Sequence, residues 1–171
     1  MKIKFFVPAP ETLEELKKLY KTFAVNYHPD VTGGDAEIMK IVNTEYDYLF
    51  PLLKDLHKTA DGETYTAKTP NTETPEQFKD IISKIIHLDG ILIEIIGSFI
   101  WITGDTRQYK DLLKALNFKW HKTKIAWYMP PEGYRKYNNK NFSLDQIRDI
   151  FGNQEVESKV PQKIRVGFVH K

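Results

Sequence analysis

KTFAVNYHPDVTGGD, residues 21–35, contains the tripeptide His28-Pro29-Asp30 between a helix-like segment and a glycine pair. Proline disfavours helical geometry in the residue before it, so the preceding helix is expected to end at Tyr27 or His28. The two glycines are typical of a short loop. The stretch therefore predicts a sharp, protruding turn between two helices.

Apolar residues on both sides of this turn recur at steps of three and four, which is the spacing of one face of an α-helix. They are Leu13, Leu16, Tyr20, Phe23 and Tyr27 before the turn, and Met39, Val42, Tyr46, Leu49 and Leu53 after it. Thr12 is a candidate N-cap for the first helix. Pro51 either interrupts the second helix or opens a last stretch that runs through Leu56. Two such stripes joined by a short loop favour an antiparallel helical hairpin.

Composition divides the chain into two parts. Residues 1–7 alternate in polarity and predict a short strand before the hairpin. Residues 59–75 are rich in threonine, contain Pro70 and Pro75 and offer little to bury, so they predict a linker. We therefore expect a helical domain at residues 1–58 and a second domain at residues 76–171.

The second domain is predicted to contain both helices and β-hairpins. Gly97-Ser98 joins one predicted pair of strands, and Asn117 suits the left-handed end of a helix capped by Asp105 or Thr106. Ser143 is a candidate N-cap for the last helix. The predicted helices are at residues 76–88, 106–116 and 144–151, and the predicted strands are at 91–96, 99–103, 118–120, 125–129 and 164–169. The expected fold class of the chain is α+β.

Several classes of protein are disfavoured by composition. The chain has no cysteine, which excludes disulfide scaffolds, thiolate zinc sites and cysteine nucleophiles. The longest apolar stretch, residues 90–104, is too short for a bilayer and contains Glu94. The five histidines are scattered, and no catalytic motif stands out. We expect a cytoplasmic protein without membrane contact, without a cofactor or metal, and without enzymatic activity of its own.

Charge is distributed unevenly along the chain. Residues 1–60 contain eight Lys/Arg and nine Asp/Glu (8 − 9 = −1), and residues 61–97 contain three and seven (3 − 7 = −4). Residues 98–171 contain fourteen and seven (14 − 7 = +7). A neutral-to-acidic front and a basic back predict different partners for the two parts.

The pattern LKKLYKTFAVNYHPD followed by MKIVNTEYDYL resembles the J-domain of DnaJ-type co-chaperones over about residues 12–56. In that family a helix ending in Tyr-His-Pro-Asp precedes a loop and a helix with an Asn-x-x-Tyr-x-x-Leu signature, which Asn43, Tyr46 and Leu49 match. The sequence departs from the family pattern at two places. A strand-like segment replaces the family's first short helix, and Glu45 stands where the family usually has alanine.

The resemblance implies contact with the ATPase domain of a DnaK-type chaperone, and stimulation of its ATP hydrolysis. The implied contact residues are Tyr27, His28, Pro29, Asp30, Lys17, Lys18 and Lys21. Proline would stiffen the loop, and the aspartate and histidine would offer charge-assisted hydrogen bonds. The lysines, expected on a solvated helix face, would steer association with an acidic surface.

The basic back half predicts a second kind of contact. Aromatic residues alternate there with cations, and aromatics on a sheet can stack bases while cations meet phosphates. The candidate nucleic-acid residues are Lys119, Trp120, Lys122, Lys124, Trp127, Tyr128, Arg135 and Lys136. The string NFKWHKTKIAWYMP also looks slightly like hairpins in small domains of DNA-processing and mobile-element proteins. The tryptophans could equally belong to the core.

The preferred hypothesis is a J-domain co-chaperone or adaptor. It would bring a DnaK-type chaperone to whatever the back half binds, either single-stranded or duplex nucleic acid or a replication complex, as a phage or plasmid protein could. One alternative is a nucleic-acid-binding module whose J-like hairpin is only an interaction surface. Another is a mobile-element protein that inhibits a host factor.

Overall fold

A computed structural model describes residues 1–59, 61–134 and 140–151. The helices in these ranges are α1 Leu13–Tyr27, α2 Ala36–Leu53, α3 Pro75–Ile85, α4 Lys110–Ala115 and α5 Leu144–Ile150. The strands are β1 Leu56–Lys58, β2 Thr64–Thr66, β3 Ile91–Ile96, β4 Phe99–Gly104, β5 Lys119–His121 and β6 Ala126–Met129. The predicted α+β class is confirmed. The predicted strand at residues 164–169 lies outside the described residues.

Helices α1 and α2 form the predicted hairpin. Thr12 caps α1 by accepting a hydrogen bond from the backbone of Glu15 at 3.4 Å, and the apolar stripes meet where the rings of Tyr20 and Tyr46 lie 4.6 Å apart. Both expectations for Pro51 were wrong, since the proline neither interrupts α2 nor opens a further helical stretch but lies inside α2, which ends at Leu53. The chain then leaves the helix, and Leu56 begins a strand.

The predicted strand at residues 1–7 is absent, and this segment is irregular instead. A strand needs a neighbouring strand to satisfy its backbone, and here a side chain takes that role. Glu45, buried in α2, accepts hydrogen bonds from the backbone N–H groups of Lys4 at 2.7 Å, Phe5 at 2.9 Å and Phe6 at 3.3 Å. The segment is therefore fastened to the hairpin, and Phe6 is fully buried.

Residues 59–75, predicted as a linker, contain strand β2 and several anchoring contacts. Strand β2 pairs antiparallel with β1, with His57 opposite Tyr65. The backbone N–H of Asn71 donates to the carboxylate of Asp55 at 2.7 Å. Threonine favours strands as well as loops, so composition alone did not reveal the hairpin. A division into two domains stays a prediction, but buried residues of both parts belong to one hydrophobic cluster.

The second part of the chain, by which we mean the described residues from 76 onward, is built on an antiparallel sheet with strand order β3-β4-β6-β5. The aligned residues Ile93, Ile102 and Trp127 lie on one face, in the cluster that also contains residues of α1, α3 and α4. Helix α5 packs on the other face, where Arg148 binds Glu94 at 2.6 Å. The hairpins predicted at Gly97-Ser98 and between residues 120 and 125 are confirmed.

The cap predicted at Asp105 or Thr106 is not formed. A 3-10 turn, Arg107–Tyr109, precedes α4, and Thr106 at its N-cap makes no side-chain capping bond. Its hydroxyl accepts a hydrogen bond from the indole Nε1 of Trp127 at 3.2 Å instead. Asn117 adopts the predicted left-handed conformation, with φ of 67°. The predicted cap at Ser143 is confirmed.

Replacing Glu45 with alanine should lower the free energy of unfolding by about 2–4 kcal/mol, because three backbone donors lose a charged acceptor and one of them is fully buried. Urea unfolding of Glu45→Ala measures the loss. Thr44→Ala, at the adjacent exposed position of the same helix, is the matched control and should stay within about 0.5 kcal/mol of the parent chain. Equal midpoints for the two variants would contradict the role of Glu45.

Candidate functional site

The loop between α1 and α2 is closed by backbone hydrogen bonds across its base. His28 donates to the carbonyl of Ala24 at 2.9 Å, and Asp35 donates to the carbonyl of Tyr27 at 2.9 Å. Gly34 lies so close to the carbonyl of His28 that an added Cβ would overlap it. Asp35 also caps α2 by accepting from the backbone of Glu37 and Ile38. These contacts hold the tripeptide at the tip of the hairpin.

The side chains of the tip differ in exposure. Pro29 is exposed, the side chain of Asp30 is 67 % exposed and that of His28 only 15 %. His28 Nδ1 accepts a hydrogen bond from the backbone N–H of Asp30 at 3.3 Å and lies 3.5 Å from its carboxylate. An accepting Nδ1 leaves the proton of a neutral ring on Nε2. The imidazole is thus oriented by its own loop.

Tyr27 supports the tip from inside rather than presenting itself to solvent. It is half-buried, and its ring lies 6.3 Å from that of Phe5 in an edge-on arrangement. Phe5 belongs to the segment that Glu45 holds. The N-terminal segment therefore braces the end of α1.

The three lysines do not form the expected solvated row. Lys17 is only 3 % exposed and forms an ion pair with Glu73 at 2.5 Å. Lys21 is half-buried and donates to the carbonyl of Ile93 in β3 at 2.9 Å. Burial lowers the pKa of Lys18, although Glu14 and Glu15 oppose the shift. The expectation failed because this side of α1 packs against the second part of the chain. The spacing of apolar residues within one helix does not show which other elements pack against that helix.

The candidate nucleic-acid residues are separated by the fold. Trp127 is 5 % exposed and belongs to the core, while Trp120 is 43 % exposed on strand β5. Lys119 and Lys122 are exposed, whereas Lys124 and Tyr128 are half-buried. Arg135 and Lys136 lie outside the described residues.

Sequence reasoning missed a cluster of polar side chains that lines a cavity of about 280 Å³ between α1, the β1–β2 hairpin and the β3–β4 turn. Glu14 Oε1 lies 2.5 Å from His57 Nδ1 and accepts from the Ser98 hydroxyl at 3.0 Å. Glu14 Oε2 is buried and has no partner among the described residues. The three residues are far apart in sequence, so no local spacing indicated the cluster.

The two side chains favour each other's charged form. Burial by itself would raise the pKa of Glu14, but the hydrogen bond and charge of His57 lower it below the ordinary 4.5. The hydrogen bond to Glu14 raises the pKa of His57 above 6.5, against the opposing effect of burial. An ion pair between α1 and β1 is the expected state in weakly acidic solution.

Comparison with protein-family models, with curated proteins and with solved structures found no match to this chain. No helix among residues 1–59, 61–134 and 140–151 is long and apolar enough to cross a membrane. In the same ranges, no group of three or more histidine, aspartate or glutamate residues is arranged to hold a metal ion.

The Glu14–His57 pair predicts a pH-dependent part of the stability. The contribution of His57 is complete below about pH 6.5 and is lost as the pH rises through its raised folded pKa. That of Glu14 is present above about pH 4.5 and is lost as the pH falls through its lowered folded pKa. His57→Gln should therefore cost most between these two values, about 2 kcal/mol, the size of a hydrogen bond between charged groups.

Urea unfolding at a series of pH values measures this difference. The exposed His87 provides the control variant His87→Gln, whose difference from the parent chain should change little with pH. A loss for His57→Gln that stays constant from acid to alkaline solution would contradict the ion pair.

Proposed function

We propose that the chain is a divergent J-domain co-chaperone or adaptor that presents His28-Pro29-Asp30 to a DnaK-type ATPase and stimulates ATP hydrolysis. The observation that supports this most is the position of the tripeptide, at the tip of a two-helix hairpin with Pro29 and Asp30 exposed. Binding energy at interfaces concentrates in a few well-placed residues. A protruding tip of this kind fits a narrow groove on a partner.

The loop favours binding because its backbone is already held in one conformation before it docks. The proline ring limits the backbone, and the hydrogen bond from Asp35 to Tyr27 closes the loop base. The contact between Asp30 N–H and His28 Nδ1 sets the ring before a partner arrives. A preorganised loop loses less entropy on binding than a flexible one. In this proposal the partner performs the hydrolysis and this chain only recognises it.

The packing of α1 limits which cations take part. Lys17 and Lys21 already have partners within the chain, so docking in the described conformation uses the tip and, at most, Lys18 from this row. Electrostatic steering by lysines would accordingly be weak, and the association rate would depend little on salt.

The second part supplies the adaptor function of the proposal. Its basic charge would place a chaperone on nucleic acid or on a replication complex in the cytoplasm, without a membrane and without a cofactor. A second candidate function is nucleic-acid binding with the hairpin as a plain interaction surface, including inhibition of a host factor. The half-exposed Trp120 beside exposed lysines favours that candidate.

A DnaK ATPase assay tests the proposal. The parent chain should accelerate ATP hydrolysis, and His28→Gln should reduce the stimulation by about tenfold or more, because the partner contact is lost at the tip. Asp30→Asn should have a similar effect, since it removes a charge that is 67 % exposed.

Thr32→Ala is the matched control, because Thr32 is exposed in the same loop and makes no assigned contact with the partner. Near-ultraviolet circular dichroism confirms that each variant keeps the parent fold. Absence of stimulation by the folded parent chain would reject the co-chaperone function.

A further inference from the structure

The part of the chain that contains strand β5 and its hairpin turn is basic. Residues 104–125 contain six Lys/Arg and two Asp/Glu, a net charge of 6 − 2 = +4. Strand β5 is the last strand in the order β3-β4-β6-β5. We name as the basic edge the four exposed residues Arg107, Lys119, Trp120 and Lys122.

Trp120 provides an aromatic surface at this edge. It lies directly opposite Trp127 in the β5–β6 register, so the two indoles share one face of the sheet. Their ring centroids are 5.4 Å apart. Trp127 is 5 % exposed and Trp120 is 43 % exposed. A buried indole thus supports a second one whose outer part stays open to solvent.

Lys119 and Lys122 flank Trp120 in the sequence, and Arg107 begins a turn that follows a contact of Trp127. The hydrogen bond between Trp127 Nε1 and Thr106 Oγ1 places the 3-10 turn, which begins at Arg107, next to the tryptophan pair. Lys119 precedes Trp120 on the strand and projects to the opposite face. Lys122 follows the strand in the hairpin turn. A chain of phosphates crossing this edge would meet charge before and after the indole.

The cations of the basic edge differ from many others in the chain. Lys58, Lys79 and Lys84 are each bound to a carboxylate. Among the described residues, Arg107, Lys119 and Lys122 form no ion pair. Three cations without carboxylate partners, of which Lys119 lies on the opposite face of the strand from Trp120, make this edge complementary to a polyanion that carries aromatic rings.

The hairpin turn also contains a residue that stability alone does not favour. Ile125 has φ of 50° and is 72 % exposed. The left-handed region is costly for a β-branched side chain, and asparagine tolerates it better. An exposed apolar side chain at a strained position next to the basic edge is suited to contact with a base.

From these observations we propose that the basic edge binds single-stranded nucleic acid, with an unpaired base stacked on Trp120 and phosphates at Arg107, Lys119 and Lys122. Base stacking on an aromatic side chain needs an accessible base face, which a duplex does not offer. The proposal names the target of the adaptor function proposed above, but the binding itself does not require a chaperone.

Fluorescence anisotropy with labelled oligothymidylate, oligouridylate and a DNA duplex tests the proposal on the full chain without a chaperone. Affinity for the single strands should fall between about 50 and 200 mM salt, with a logarithmic slope of about −0.7 for each phosphate that is neutralised. The two single strands show whether DNA or RNA is preferred. The duplex should bind more weakly than both.

Variants separate stacking from charge. Trp120→Ala should weaken binding roughly five- to a hundredfold. The salt slope should stay unchanged, because stacking of a base releases no counterions from the phosphates. Arg107→Gln with Lys122→Gln should reduce the steepness of the slope by about 1.4, the contribution of two phosphates. Ile125→Asn should raise thermal stability and weaken binding.

Matched controls remove the same charge elsewhere. Lys40 and Lys68 are exposed outside the basic edge, and Lys40→Gln with Lys68→Gln should keep the parent slope. His28→Gln should bind the oligonucleotides like the parent chain, so a failure of this proposal is distinguishable from a failure of the chaperone proposal. Absence of binding at low salt, equal affinity for the duplex, or equal slopes for the two double variants would overturn the assignment.

Discussion

The buried ammonium group of Lys17 is the constraint on which the arrangement of the two parts depends. A charge removed from water is strongly destabilising unless it is paired. Here Glu73 lies 2.5 Å away, and the ring of Phe78 lies 4.9 Å from Lys17 Nζ. Glu73 precedes α3, and Phe78 belongs to it. Helix α1 therefore has to pack against α3, and the adjoining hydrophobic cluster continues into the sheet.

This packing also determines which surface of the hairpin stays available. The side of α1 that faces α3 and β3 is occupied, whereas the turn after Tyr27 extends away from it with Pro29 and Asp30 exposed. In the proposed function, recognition therefore depends on the geometry of the tip more than on a row of positive charge. The two proposed binding surfaces use different elements, the α1–α2 turn and strand β5, so one partner does not have to displace the other.

Local signals predicted much of the fold. The cap at Thr12, the turn at Gly97-Ser98 and the left-handed Asn117 each depend on neighbouring residues, which a single sequence displays. The position of Lys17 depends on a residue 56 places away, and helical periodicity contains no information about such a partner. The alternation of residues along a strand likewise could not predict that Trp127 is buried and Trp120 exposed. Burial depends on which strand lies at the edge of the sheet.

The two departures from the J-domain pattern are physically one feature. A helix before α1 would satisfy its own backbone groups, but an irregular segment leaves N–H donors that need an acceptor. Alanine offers none, whereas the carboxylate of Glu45 receives the donors of Lys4, Phe5 and Phe6. The segment then packs Phe5 and Phe6 against Phe23 of α1, with ring centroids 5.7 and 5.2 Å away. The irregular segment and the glutamate are therefore joined by one set of hydrogen bonds and form a single structural feature.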